Sequence, residues 1–127
     1  VAAQDRNVAQ AIVQAVTAFD PGLALVGLAE SQLVAAGRAA GLMVLNEAFA
    51  DRRYQSNGRL VSRETEGALV ADPDDAAQQA RALAQGGEVT ALDGTPLRIR
   101  AETLCLHSDT PHALNIARAV HAALNRG

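Results

Sequence analysis

Hydrophobic positions along this chain switch between two periods. From Asn7 to Phe19, the residues Val8, Ile12, Ala15, Val16 and Phe19 recur at helical spacing, and Asp20-Pro21-Gly22 breaks the pattern. Leu23–Leu28 is an unbroken apolar run of strand length, the signature of a parallel strand buried on both faces. Ser31 is placed to cap a helix that runs through Ala40, with Gly37 or Gly41 available to end it. Leu42–Leu45 reads as the next strand, and 46–72 as a polar, irregular stretch. That stretch is long for a plain connection, which favours a functional role.

Asp72-Pro73-Asp74-Asp75 opens a further helix, since acids suit its positive end and proline its first turn. It ends near Gly86-Gly87. The segments 88–91 and 97–100 flank Leu92-Asp93-Gly94-Thr95-Pro96 and predict a β-hairpin. Thr103–Leu106 is a third core strand, and Pro111 leads into a last helix with Ala113, Ile116, Ala117, Val120 and Leu124 on one face. The whole is an α/β pattern of strands alternating with helices, plus a hairpin. Three strands cannot close a barrel, so the outer ones keep open edges, and the chain reads as part of a larger sheet that self-associates or retains a partner.

Composition narrows the classes. The chain has 127 residues, one domain's worth, where a closed α/β barrel takes roughly 250. Hydrophobic residues make up 49%, mostly Ala, Val and Leu, and the net charge is -3. No basic patch with interleaved aromatics supports nucleic-acid binding. No apolar run is long enough for a membrane span, and no charged-then-apolar leader predicts export. Cys105 is the sole cysteine, which points to a reducing, cytoplasmic setting. All eleven basic residues are arginine, so neither a Walker A lysine nor a Schiff-base lysine can reside here.

Two polar clusters follow apolar runs, Asn46–Tyr54 and Cys105–Pro111, where α/β sheets bind ligands. Glu47 and Asp51 could activate water or bind a metal, or simply pair with Arg52 and Arg53. Arg52 and Arg63 could clamp a carboxylate or phosphate, or order the long loop internally. His107 could be a general base or metal ligand, oriented by Asp109 two residues on; Asp109 could equally cap the last helix. Cys105 is a candidate thiol nucleophile or an inert small apolar residue. Tyr54 and Phe49 are the large rings near these clusters, with Phe49 expected to anchor packing. His112 and His121 are expected at the surface.

The run Glu47-Ala48-Phe49-Ala50-Asp51-Arg52-Arg53-Tyr54, with Gly58-Arg59-Leu60-Val61-Ser62-Arg63 after it, resembles the E-x-F-A-D-R-x-Y…G-x-L-x-x-R block of the LamB/YcsF family. Cys105-Leu106-His107-Ser108-Asp109 resembles that family's C-x-H-G-D block. Serine at 108 stands where the family carries glycine, and a positive φ there would strain it.

The resemblance covers residues 1–127 as the C-terminal half of a single barrel domain of the glycoside hydrolase/deacetylase type. It implies the A component of a bacterial 5-oxoprolinase, which uses ATP to hydrolyse 5-oxo-L-proline, a small-molecule cyclic amide, to L-glutamate. It implies catalytic roles for Glu47, Asp51, His107 and Asp109, and substrate-binding roles for Arg52, Arg63 and Tyr54. It also implies ATP in the full complex, a divalent metal of unknown identity, and as partners the N-terminal half and two further subunits, in a homo-oligomer. On this reading the fragment alone is inactive. The alternatives are a non-catalytic, substrate-binding role in that complex and, by fold analogy, a metal-dependent deacetylase.

Overall fold

A computed structural model describes residues 1–125. Four helices and five strands follow in the order α1 (Arg6–Phe19), β1 (Ala24–Leu28), α2 (Gln32–Ala39), β2 (Met43–Phe49), α3 (Pro73–Gln85), β3 (Glu88–Thr90), β4 (Pro96–Arg98), β5 (Thr103–Cys105) and α4 (Ala113–Leu124). β1, β2 and β5 form one sheet in the order β1-β2-β5, and β3 pairs antiparallel with β4. The α/β class and the sequence of elements are those the hydrophobic pattern predicts. The chain divides into two compact units, one of Val1–Glu47 with Arg100–Thr103, the other of Ala48–Ile99 with the chain from Leu104 onward.

In the first unit β1 and β2 run parallel, from Ala24↔Met43 to Leu28↔Glu47. Their packed side joins Leu25 and Val44 to Val13 and Val16 of α1, Leu33 and Ala36 of α2, and Leu42. The other side was expected to be buried as well. It is not: Val26 is 46% and Met43 68% exposed. Parallel register puts Ala24, Val26, Met43 and Leu45 on one face, and both helices of this unit cover the opposite one. Helix α1 also differs from expectation. Asp5 caps it, and it buries Ala9 and Val13, while Ile12 and Phe19 stay exposed. Asn46, buried, is tied to Glu102, whose carboxylate accepts from both its backbone N–H (3.2 Å) and its Nδ2 (2.8 Å).

In the second unit α3 and α4 pack through Ala76, Ala80, Ile116 and Val120, together with Ala50, Val70, Leu104 and Leu106. Asp72 caps α3, with Pro73 in its first turn, and Gly86 ends it at φ 69, a left-handed conformation that favours glycine. The stretch 50–72 is folded rather than loose. Bridges Arg52↔Leu69 and Tyr54↔Leu60 and the bonds from Arg53 N–H to the Ala68 carbonyl and from Val70 N–H to the Asp51 carbonyl fold it back on itself over buried Val61, Ala68 and Val70.

One expectation near the end of the chain needs correcting, and one condition is not met. Asp109 does not cap α4, because the helix starts only at Ala113, after His112. The positive φ in that connection falls on His112 (φ 62) and not on Ser108, so serine at 108 carries no left-handed strain.

Candidate functional site

The sequence places Asn46 and Glu47 beyond a strand ending at Leu45, yet β2 continues to Phe49. Pairing with β1 carries the ladder on through Glu47, opposite Leu28. Glu47 is therefore a half-buried strand residue of the first unit, and its side chain makes no hydrogen bond or ion pair among the described residues. The other six candidates lie in the second unit.

There β2 ends and the chain turns at Ala50-Asp51. Gln79 holds this turn, its Nε2 donating to the carbonyls of Phe49 and Arg52, both at 2.8 Å. Tyr54, only 1% exposed, accepts the Phe49 N–H on its hydroxyl at 2.9 Å. Tyr54 is thus an interior fixture of the turn.

The turn delivers Asp51, 2% exposed, to the segment after β5. Asp51 Oδ2 accepts the backbone N–H of His107 at 2.7 Å. The imidazole Nδ1 lies 3.1 and 3.0 Å from Oδ1 and Oδ2. A carboxylate only accepts hydrogen bonds, so the shared proton sits on Nδ1. In neutral imidazole the lone pair is then on Nε2, which makes no hydrogen bond among the described residues. The Phe49 ring stacks on the imidazole at 5.4 Å and 12°, so it packs against His107 as well as anchoring the turn. The acid that orients His107 is Asp51, 56 residues away. It is not Asp109, because β5 stops at Cys105 and the two-residue alternation that would align 107 with 109 is lost.

Arg52 is buried as well, with Nη2 donating to the Val61 carbonyl at 2.6 Å. Its Nε lacks a partner among the described residues. Burial, then repulsion from Arg63, lowers its pKa, although a guanidinium stays charged. Arg63 pairs with Asp109 at 3.5 Å, on the surface. Cys105 is half-buried; His112 and His121 are exposed, as expected.

Gln79 went unnoticed in the sequence. The signal was present, because it sits on the Ala76, Ala80, Leu83 stripe of α3, where a polar side chain needs a buried partner. A cleft of about 200 Å³ lined by Arg53, Asp75, Gln78, Gln79, Glu88 and Thr90 shares only Gln79 with the His107 network. Its two acids against one arginine do not suit a nucleotide triphosphate. No group of three His, Cys, Asp or Glu among the described residues could hold a metal ion.

The arrangement can therefore move protons: a buried carboxylate fixes one imidazole nitrogen and leaves the other basic. Residues 1–127 match the LamB/YcsF family throughout. The chain is 51% identical over 127 residues to the 5-oxoprolinase A component of Chloroflexus aggregans, covering 100% of this chain and 49% of that protein. It is 48% identical over 124 residues to the corresponding 5-oxoprolinase component of Nitrobacter winogradskyi, covering 98% and 49%. Among solved structures, the lactam utilization protein of Thermus thermophilus superposes with a TM-score of 0.88 at 45% identity, over 98% of this chain and 49% of that one. The chain spans about half the length of these relatives, and it belongs to the LamB/YcsF family.

Proposed function

We propose that this chain supplies the acid–base centre of the A component of a 5-oxoprolinase, in ATP-dependent hydrolysis of 5-oxo-L-proline to L-glutamate. The observation that carries the reading is the grip of buried Asp51 on both the backbone and Nδ1 of His107. The names of the relatives supply the substrate class.

The lactam is an unstrained amide and resists water. ATP activates its oxygen by phosphorylation, and water attacks the activated carbon. His107 Nε2 takes a proton from that water, and a proton returns to the ring nitrogen as the C–N bond breaks. The acyl phosphate left behind is hydrolysed by a second water to L-glutamate and phosphate. Asp51 stabilises the imidazolium formed on the way.

The rest of a relative-length protein completes the fold as a barrel and covers the face of Ala24, Val26 and Met43; two further subunits bring in ATP chemistry. Asp51→Ala and His107→Ala, tested separately in the assembled enzyme, should each reduce 5-oxoproline-dependent ATP hydrolysis by about 10²–10⁴-fold. Wild-type turnover in both variants would refute the assignment.

A further inference from the structure

The cleft beside α3 holds charges that do not meet. Arg53, Asp75 and Glu88 all line it, yet no ion pair joins Arg53 to either acid among the described residues. Arg53 is half-buried, and its guanidinium makes no hydrogen bond or ion pair there; the same holds for the exposed Asp75 carboxylate. Glu88 differs, because Arg98 Nη2 lies 3.7 Å from it. With Glu88 offset by Arg98, the cleft presents one positive and one negative group, held apart. Gln79 adds a third. It is 7% exposed, and its Nε2 spends both hydrogens on the carbonyls of Phe49 and Arg52. Its Oε1 accepts no hydrogen bond among the described residues, and it is not sealed from solvent. Gln79 thus has an acceptor left for whatever enters the cleft it lines.

We propose that this cleft binds a small neutral α-amino acid as its zwitterion. The planar Arg53 guanidinium matches the two oxygens of the ligand's carboxylate. The Asp75 carboxylate and Gln79 Oε1 accept from its ammonium, which has three donors to place. A bare amine would leave Arg53 unanswered, and a second carboxylate on the ligand would meet Glu88. The cleft volume, about 200 Å³, lies below the roughly 300–1,000 Å³ of drug-sized ligand pockets, which suits a molecule of amino-acid size. The lactam 5-oxo-L-proline lacks the deciding group, because ring closure turns its amine into an uncharged amide. The site is therefore separate from the His107 centre and does not depend on the acid–base reading of it. Gln79 is common to both, since the two carbonyls it holds flank Asp51.

Calorimetric titration of the assembled enzyme with L-alanine tests this. L-Alanine should bind, whereas propionate, which lacks the ammonium, and ethylamine, which lacks the carboxylate, should not compete with it. Arg53→Gln and Asp75→Asn should each weaken L-alanine by about tenfold or more, the scale of a lost hydrogen bond to a charged group. Glu88→Gln should change the affinity by no more than about twofold, because Glu88 is an exposed residue already facing Arg98. Saturating 5-oxoproline should leave the L-alanine affinity unchanged. The proposal falls if L-alanine does not bind, if ethylamine or propionate displaces it, or if Arg53→Gln and Asp75→Asn both keep wild-type affinity. Displacement of L-alanine by 5-oxoproline would overturn it as well, by placing the amino acid in the substrate site. Loss or retention of turnover in His107→Ala bears only on the acid–base centre, because L-alanine binding is read without any reaction.

Discussion

The two units differ in how much polar structure they bury, although each exposes some large apolar side chains. The second buries Asp51, Arg52, Gln79 and a tyrosine hydroxyl, and the hydrogen bonds of that network close within the unit. The first keeps its interior apolar apart from Ser31 and Asn46 and leaves Val26, Met43, Ile12 and Phe19 in water. Burying polar groups costs stability unless each is satisfied, so a network of this kind survives where it positions something. Exposed apolar surface is instead an unfinished interface. The second unit is organised around a buried polar network that holds His107, and the first leaves apolar surface that it does not itself cover.

The largest effect on this contrast should come from Gln79→Leu. Leucine fills similar space on the α3 stripe, but the carbonyls of Phe49 and Arg52 lose their donor. Leaving buried acceptors unpaired should cost about 2 kcal/mol in urea unfolding. Turnover should fall as well, because the Asp51 turn is then free to shift from His107. A variant that is destabilised yet fully active would separate the turn from the chemistry and break the comparison.

Legibility in the sequence followed the same division. Helix boundaries were readable where a cap has its own chemistry: Ser31, Asp72 and Gly86 each sit where the pattern put them. The buried face of α1 was not, since alanine and valine occur all around it and Ala9 looks no different from Ala15. The end of β2 was misplaced because Asn46 and Glu47 are polar, while backbone pairing to β1 ignores side-chain polarity. At the site, Asp51 and His107 stood out through their motifs, but their partnership did not. Sequence spacing offered Asp109 as the nearer acid, whereas the contact that forms joins residues 56 apart. The folded 50–72 segment looked like a loop because its buried residues, Val61, Ala68 and Val70, are too widely spaced to show a period.

A smaller effect probes the packed side of the first unit. A Cβ on Gly37 would meet Leu25 Cδ2 at 2.7 Å and Val44 Cγ2 at 2.9 Å. Alanine improves helix propensity by up to about 1 kcal/mol, but overpacking costs about 1–3 kcal/mol, and Val44 is β-branched and stiff. Gly37→Ala should therefore destabilise by about 1 kcal/mol in denaturant titration. A stabilised variant would mean that this side of the sheet is as loosely specified as the exposed one.

The smallest effect concerns the polar tie within the first unit. Hydrogen bonds from the Asn46 side chain and backbone hold the Glu102 carboxyl below its usual pKa, with Arg100 and Arg38 adding to the shift. A pKa depressed in the folded state contributes stability that is fully present above the unfolded value, about 4.3. That contribution is lost as pH falls through the folded value. Glu102→Gln keeps an oxygen that can accept from Asn46 but has no charge to lose. Its urea midpoint should lie slightly below wild type at pH 7, and the two curves should converge on the acid side. Parallel curves through the whole acid limb would show that the Asn46–Glu102 contact is indifferent to charge. In that case the first unit owes nothing to ionised polar ties, and the contrast between the units would be sharper than the hydrogen bonds alone suggest.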